Sequence, residues 1–501
     1  MRGKKAIFNI IATLGLQLAN IISGLIVPNL IIKQYGSDVN GLIVSVTQFL
    51  NYISLLDGGA GGVIKAALYA PLAQKNNKKV SSVLVAAKQF FHKIALVFCV
   101  YIAIFMLIYP RFVESVFSFW YIASLVLIIG STSVIRYVFG VTYQLLVQAD
   151  QKAYVYDCIR IFGLLFHVLF TLILVRFHVS IQTIKLFSLI AFTMEPMILV
   201  IYVRKCYRIL SDADPDKRAI SQRWDGFGQH IAYFIHTNTD VVILTIFSTV
   251  SEISVYSVYS LIAAGLKNVI YALSNGFSAM LGDMIAKGER AQVRYTFEML
   301  EWVNTLLTFD VFATASVMIM PFVRIYTRGV DDADYLRLGF ALLILGAEMV
   351  YCLRFPMVVT ANAAGHYRQT KKGAFWEAGI NILLSVCLVR SMGLLGVAIG
   401  TLAGMTYRTI DYIRYMEKNI LCRKPWRFVK NFVVNLSGTG CGMLLLRFIP
   451  LPKAQGYFTW VCGAVVVFGI FSGVLVVFNL VFSAGEGRMV FKRLMGICTI
   501  K

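Results

Sequence analysis

Charged residues are scarce in this chain of 501 residues: Asp, Glu, Lys and Arg make up 14% of it, against 58% hydrophobic residues. A soluble protein of that length divides into domains with polar surfaces and carries about a quarter charged residues. The shortage therefore excludes a water-soluble globular protein. Histidine is rare as well, with six scattered copies, and no metal-ligand spacing is present. Walker, GxSxG and HExxH motifs are all missing, so no catalytic residue, no metal and no cofactor is expected. Any active transport would then draw on an ion gradient, the membrane potential or substrate supply. The nine cysteines give no clear disulfide framework. Cys99, Cys158, Cys352, Cys387, Cys441 and Cys462 fall inside apolar runs, where a small apolar role is expected, while Cys206, Cys422 and Cys498 fall in loops. Acidic residues are the scarcer charge, 25 against 47 Lys and Arg, for a formal net charge of +22. In a soluble protein that excess would point to nucleic acid. Here no nucleic-acid partner is expected, because the inside loops of membrane proteins collect Lys and Arg.

What is abundant is apolar sequence, in recurring runs of roughly 20 residues, the length that spans a bilayer as a helix. Backbone groups in lipid must be satisfied internally, and the runs are continuous, not alternating, so helices are expected over barrel strands. The fold class is an all-α polytopic membrane protein with about 14 transmembrane helices. They are placed near 6–32, 39–69, 89–110, 118–148, 153–175, 180–203, 227–248, 253–286, 298–323, 336–360, 373–390, 393–414, 429–449 and 457–483. The basic start Met1-Arg2-Gly3-Lys4-Lys5 leads into a stretch too long for a signal peptide and without a cleavage site, so a retained first helix is expected. With both termini inside, roughly 30 basic residues lie inside and roughly 10 outside, which favours that orientation. Outside segments are short, the longest near Tyr326–Arg337.

A charged loop, Arg204–Asp225, separates two sets of six helices and leaves two over. The division is 1–203 for an N-lobe, 204–225 for a cytoplasmic loop, 226–414 for a C-lobe, and 415–501 for helices 13 and 14 with a tail. Weak internal similarity supports a repeat: Ser37-Asp38-Val39-Asn40-Gly41 after the first helix pairs with Ser251-Glu252-Ile253-Ser254-Val255 after the seventh. A 6+6 repeat commonly puts its substrate site between the halves at mid-membrane depth.

Charges inside spans are costly, so they pair or face a hydrated interior. Asp57, Lys65, Arg136, Asp157, Arg160 and Glu195 lie in the first half, and Asp240, Lys267, Asp310, Glu348, Arg354, Glu377, Arg408 and Asp411 in the second. Asp157/Arg160 and Arg408/Asp411 have the three-residue spacing of a same-face pair. Arg136, Arg354, Lys65 and Lys267 have no such partner and are the candidate substrate-binding residues, a cationic lining suited to phosphate oxygens. Snorkelling to the membrane surface is the alternative, above all for Lys65 and Lys267. Asp57, Asp240 and Glu377 are the coupling or gating candidates. Asp57 precedes a bend-prone run, Gly58, Gly59, Gly61 and Gly62; Asp240 shares a helix face with His236. Gly396, Gly400 and Gly404, four apart, predict close packing of the twelfth helix.

Several stretches resemble a known family. YGSDVNGLIVSVTQFLNYISLLDGGAGG (35–62) with APLAQKNNKKV (70–80) is similar to the N-terminal signature of Wzx-type polysaccharide flippases, in the multidrug/oligosaccharidyl-lipid/polysaccharide exporter superfamily. TNTDVVIL (237–244), YTRGVDDADY (326–335), GHYRQTKKGAFWEAGIN (365–381) and GLLGVAIGT (393–401) agree. The resemblance implies two six-helix lobes around a central cavity plus two C-terminal helices. It implies alternating access and an undecaprenyl-pyrophosphate-linked oligosaccharide cargo taken from the bilayer. Localisation would be the cytoplasmic membrane, with polysaccharide polymerase and glycosyltransferases as partners. A cation-coupled drug or metabolite exporter of the same superfamily would share the fold. A membrane polymerase or ligase would need a larger outside loop, and a scaffold would leave the isolated charges without a use.

Overall fold

The computed structural model describes residues 2–57, 60–113, 117–210, 213–216, 238–450 and 454–483. His236, Gly58, Gly59, Cys498, much of the charged 204–225 loop and the beginning of the predicted seventh helix lie outside the described residues. Every regular element described is helical. Among the described residues, ten helical stretches are long and apolar enough to cross a bilayer, and the bent pair Ser37–Leu55 and Ala60–Ala73 makes an eleventh. The chain is thus a multi-pass helical membrane protein. The expected number was fourteen. Two of the remaining stretches fall short because they are polar: 394–419 contains Arg408, Asp411, Arg414, Glu417 and Lys418, and 426–446 contains Arg427, Lys430, Asn431 and Asn435. The third is described only over Asn238–Phe247.

Two compact units divide at Ser254/Val255. Unit 1 holds α1 (Arg2–Tyr35), α2 (Ser37–Asn51), a 3-10 turn (Tyr52–Leu55), α3 (Ala60–Ala73), α4 (Asn77–Phe112), α5 (Phe119–Ile135), a π-helical turn (Arg136–Gly140), α6 (Val141–Ala149), α7 (Ala153–Arg176) and α8 (Ile181–Cys206). The short helix α9 (Asn238–Phe247) belongs to it too. Helix α9 is fastened to α2 by side chains: Gln48 donates to Asn238, and Ser45 and Thr245 share a hydrogen bond of 2.7 Å. Next to them, the two turns paired by sequence similarity touch each other. Ser251 donates to Asp38 at 2.6 Å and Asn40 to Ser254 at 2.8 Å. Gly41 makes the approach possible, since a Cβ there would stand 1.6 Å from the Val250 carbonyl oxygen.

Unit 2 contains α10 (Val250–Asn275) from Val255 onward, α11 (Ser278–Ala286), α12 (Arg290–Tyr326), α13 (Leu338–Leu353), α14 (Phe355–Ala363), α15 (Tyr367–Met392), α16 (Leu394–Asn419), α17 (Trp426–Leu446) and α18 (Tyr457–Phe482). Helices α15 and α16 pack along the predicted glycine stripe. A Cβ on Gly396 would lie 2.6 Å from the Leu388 carbonyl, and one on Gly400 2.2 Å from Ser385 Oγ. The last two helices close onto α12 through Val467, Phe471 and Leu475, all fully buried with Phe309 and Met318. Polar contacts fix the register: Trp460 donates to the Met318 carbonyl at 2.9 Å, Ser472 donates to Asp310, and Asn479 donates to Asn435 at 2.9 Å.

Candidate functional site

Several spans are interrupted, and three of the interruptions coincide with charged residues, Asp57, Arg136 and Arg354. In unit 2, Pro356 has no N–H to offer the carbonyl four residues before it, which is that of Cys352. The chain breaks at Arg354, between α13 and α14, and Asn304 of α12 donates to the orphaned Cys352 carbonyl at 3.0 Å. Asn304 is itself held by Ser274 of α10 at 2.9 Å, just before the α10–α11 break. The buried Asn304 side chain thus satisfies a backbone carbonyl at one break, as lipid-embedded backbone requires, and ties it to the helix that precedes another.

Arg354 is 4% exposed. Its guanidinium meets Glu377 of α15 at 2.8 Å, and Glu377 in turn faces Arg408 of α16 at 3.8 Å. Arg408 pairs with Asp411 at 2.6 Å, as their spacing predicts, and donates to the Thr370 carbonyl at 2.7 Å. Lys267 pairs with Glu348 at 3.0 Å. The Tyr351 ring lies beside both the Lys267 and the Arg354 cations. Lys267 and Arg354 were expected as cations without a partner. The structure corrects that point, because the counter-charges stand on other helices, where same-helix spacing cannot reveal them. Glu377, expected as a coupling acid, is buried between two arginines.

In unit 1 the bent pair α2/α3 turns by 50° at Asp57. Asp57 is half-buried and accepts a hydrogen bond of 3.4 Å from Tyr137. Tyr137 lies in the π-helical turn that begins at Arg136. There the Val141 N–H bonds back to the Arg136 carbonyl, one residue beyond the α-helical pattern. Such bulges recur at functional sites. Arg136 is exposed and makes no ion pair among the described residues. Arg160 of α7 is half-buried. It does not pair with Asp157, which instead accepts from Thr13 of α1 at 2.7 Å. Both Arg160 and Arg136 lie within electrostatic reach of Glu195 of α8, whose buried Oε1 has no hydrogen bond among the described residues. Lys65 is half-buried on α3, with no ion pair among the described residues. Asp240 is 7% exposed on α9.

A further charged cluster escaped the sequence reading. Arg423, in the loop between α16 and α17, reaches Glu301 at 2.6 Å, Glu417 at 2.8 Å and Glu298 at 3.5 Å. Arg427 and Arg294 also bind Glu298. Glu301 and Glu417 are 2% and 5% exposed. The signal was available as carboxylates in the early turns of α12, but Arg423 read as an ordinary loop cation.

No protein-family model and no curated protein matches the sequence. Solved structures do match. The lipid II flippase MurJ in an inward closed conformation superposes with a TM-score of 0.71 at 12% identity, covering 93% of this chain and 98% of that one. An inward-facing multidrug resistance MATE transporter of the MOP superfamily gives 0.63 at 11% identity, over 81% and 95%. The MATE multidrug transporter DinF-BH gives 0.56 at 14%, over 84% and 96%. The chain therefore shares its fold with MurJ and the MATE transporters.

Proposed function

We propose that this protein is a flippase that carries undecaprenyl-pyrophosphate-linked oligosaccharide units across the cytoplasmic membrane by alternating access, for surface polysaccharide synthesis, with both termini cytoplasmic. The observation that carries the reading is Arg136. It is an exposed guanidinium in the middle of a membrane span, at a helix irregularity, without an ion-pair partner among the described residues. An arginine at that depth is tolerated where it faces water, not acyl chains, and guanidinium is suited to phosphate oxygens. Lys65 is the second cation of the cargo path.

Two further observations favour a lipid-linked cargo. The lipid II flippase fold extends over 93% of this chain, whereas the two MATE folds leave 16–19% uncovered. Between α17 and α18 runs a groove of about 410 Å³, lined by Leu444, Phe448, Gly473, Val477 and Phe478 and almost wholly apolar. An isoprenoid tail would lie in that groove while the headgroup crosses in water. The competing reading, a cation-coupled drug exporter, would place the decisive charge on Asp57 or Asp240.

The test is made in cells that lack the protein and are complemented with variants. Arg136→Ala should lose surface polysaccharide and accumulate lipid-linked intermediate on the cytoplasmic leaflet at unchanged protein level. Normal export by that variant would remove Arg136 from the cargo path, and loss of resistance to cationic compounds as the only phenotype of cells lacking the protein would end the flippase reading.

A further inference from the structure

The charged residues of the two units occupy corresponding places. Arg136 and Arg354 each sit at the break of the span preceding a long helical pair: α5/α6 before α7 and α8, and α13/α14 before α15 and α16. Glu195 and Arg408 stand at the same depth in the second member of each pair, both of which are 26 residues long and begin at Ile181 and Leu394. The first member supplies Arg160 in unit 1 and Glu377 in unit 2. It also supplies a glycine on which the opposing charge rests. A Cβ on Gly163 would be 2.6 Å from Glu195 Oε1, and one on Gly373 would be 1.9 Å from Arg408 Nη1. The same three-helix site therefore occurs twice, with the signs on two of its helices exchanged.

The two copies differ in closure. In unit 2, Arg354, Glu377, Arg408 and Asp411 form a continuous chain of ion pairs with as many carboxylates as guanidiniums. In unit 1, Arg136 and Arg160 both lie within electrostatic reach of Glu195, and no ion pair within 4.0 Å joins the three among the described residues. Two other acids, Asp57 and Asp157, already accept hydrogen bonds, from Tyr137 and Thr13. Among the described residues Glu195 keeps one buried oxygen without a hydrogen bond, a costly arrangement unless a donor comes and goes.

We infer that Arg136, Arg160 and Glu195 form an exchange site for a phosphate-type oxyanion, with Glu195 as the internal competitor that drives the anion off, while the unit 2 copy is a permanent brace. The inference rests on the flippase reading and adds the release step to it. An arriving oxyanion takes the guanidinium donors. Glu195, covalently tethered beside them, offers the same kind of acceptor once the anion's other contacts weaken. Without such a competitor a fixed positive site would trap its cargo.

The test uses the full-length protein in nanodiscs, with inorganic pyrophosphate as the probe and calorimetry as the readout. Glu195→Gln should bind pyrophosphate about tenfold tighter, a change of about 1.4 kcal/mol, and should slow lipid translocation in proteoliposomes. Arg160→Gln should bind about tenfold weaker. The double variant Arg354→Gln/Glu377→Gln, which removes the brace pair together, should bind as wild type. If wild type binds but Glu195→Gln is no tighter, or Arg160→Gln is unchanged, the exchange site is overturned and the flippase reading stands. If wild type binds no pyrophosphate, the exchange site falls, and the flippase reading is judged separately by lipid translocation.

Discussion

Removing either side of the Arg354–Glu377 pair should destabilise unit 2, and the two single changes should not cost the same. At an effective dielectric constant of about 20, the 2.8 Å contact is worth ~6 kcal/mol of gross attraction and the 3.8 Å contact between Glu377 and Arg408 ~4 kcal/mol. Arg354→Gln takes away the first and leaves Glu377 with Arg408. Glu377→Gln takes away both and leaves Arg354 buried at 4% exposure without a carboxylate. Breaking a buried pair by removing one partner costs roughly 3–5 kcal/mol net, because desolvation of the survivor is no longer offset. Glu377→Gln should fall near the top of that range and Arg354→Gln lower. The double change should cost less than Glu377→Gln alone, since neither charge is then left unmatched. A double-mutant cycle on unfolding in detergent, followed by a reporter in unit 2, measures this. Single changes within ~0.5 kcal/mol of wild type, or strictly additive costs, would refute the assignment of these charges to a brace.

Other outcomes follow from the same physics. Arg423→Gln should leave Glu301 and Glu417 buried without their shared cation and cost ~3–5 kcal/mol; Arg423→Lys should rescue it only in part, because one ammonium cannot reproduce a fork that meets three carboxylates. Thermal unfolding of the purified variants reads both. Gly41→Leu should abolish folded protein in size-exclusion profiles, since even the first carbon of a side chain would overlap the Val250 carbonyl. Gly473→Trp, which fills the α17–α18 groove, should lower surface polysaccharide several-fold while leaving pyrophosphate binding intact.

How much of this was legible in the sequence depends on the range of the interaction. The helical, membrane-spanning character is local and showed directly in apolar runs. Arg408–Asp411 was legible for the same reason, being three residues apart. Contacts across helices were not. Lys267 and Glu348 are far apart in the chain, and no spacing rule links them, so Lys267 read as isolated. Asp157–Arg160 failed in the opposite sense: the spacing was right, but Thr13 on α1 took the carboxylate. The glycine stripe on α16 was legible because its period already defines a helix face. The break at Arg354 was half-legible. Pro356 implies a lost hydrogen bond, although 336–360 reads as one helix, and the side chain that replaces the bond, Asn304, is on another helix. Arg136 carried no warning of its π-helical turn, since neither proline nor a glycine pair marks the start.

Reconstitution is the most direct measurement of the central claim. Purified full-length protein in liposomes should move a fluorescent undecaprenyl-pyrophosphate-linked oligosaccharide from one leaflet to the other, and the Arg136→Ala protein should leave it where it was inserted. Equal translocation by the two proteins would remove Arg136 from the cargo path, and none by the wild type, alongside uptake of a cationic dye, would contradict the account as a whole.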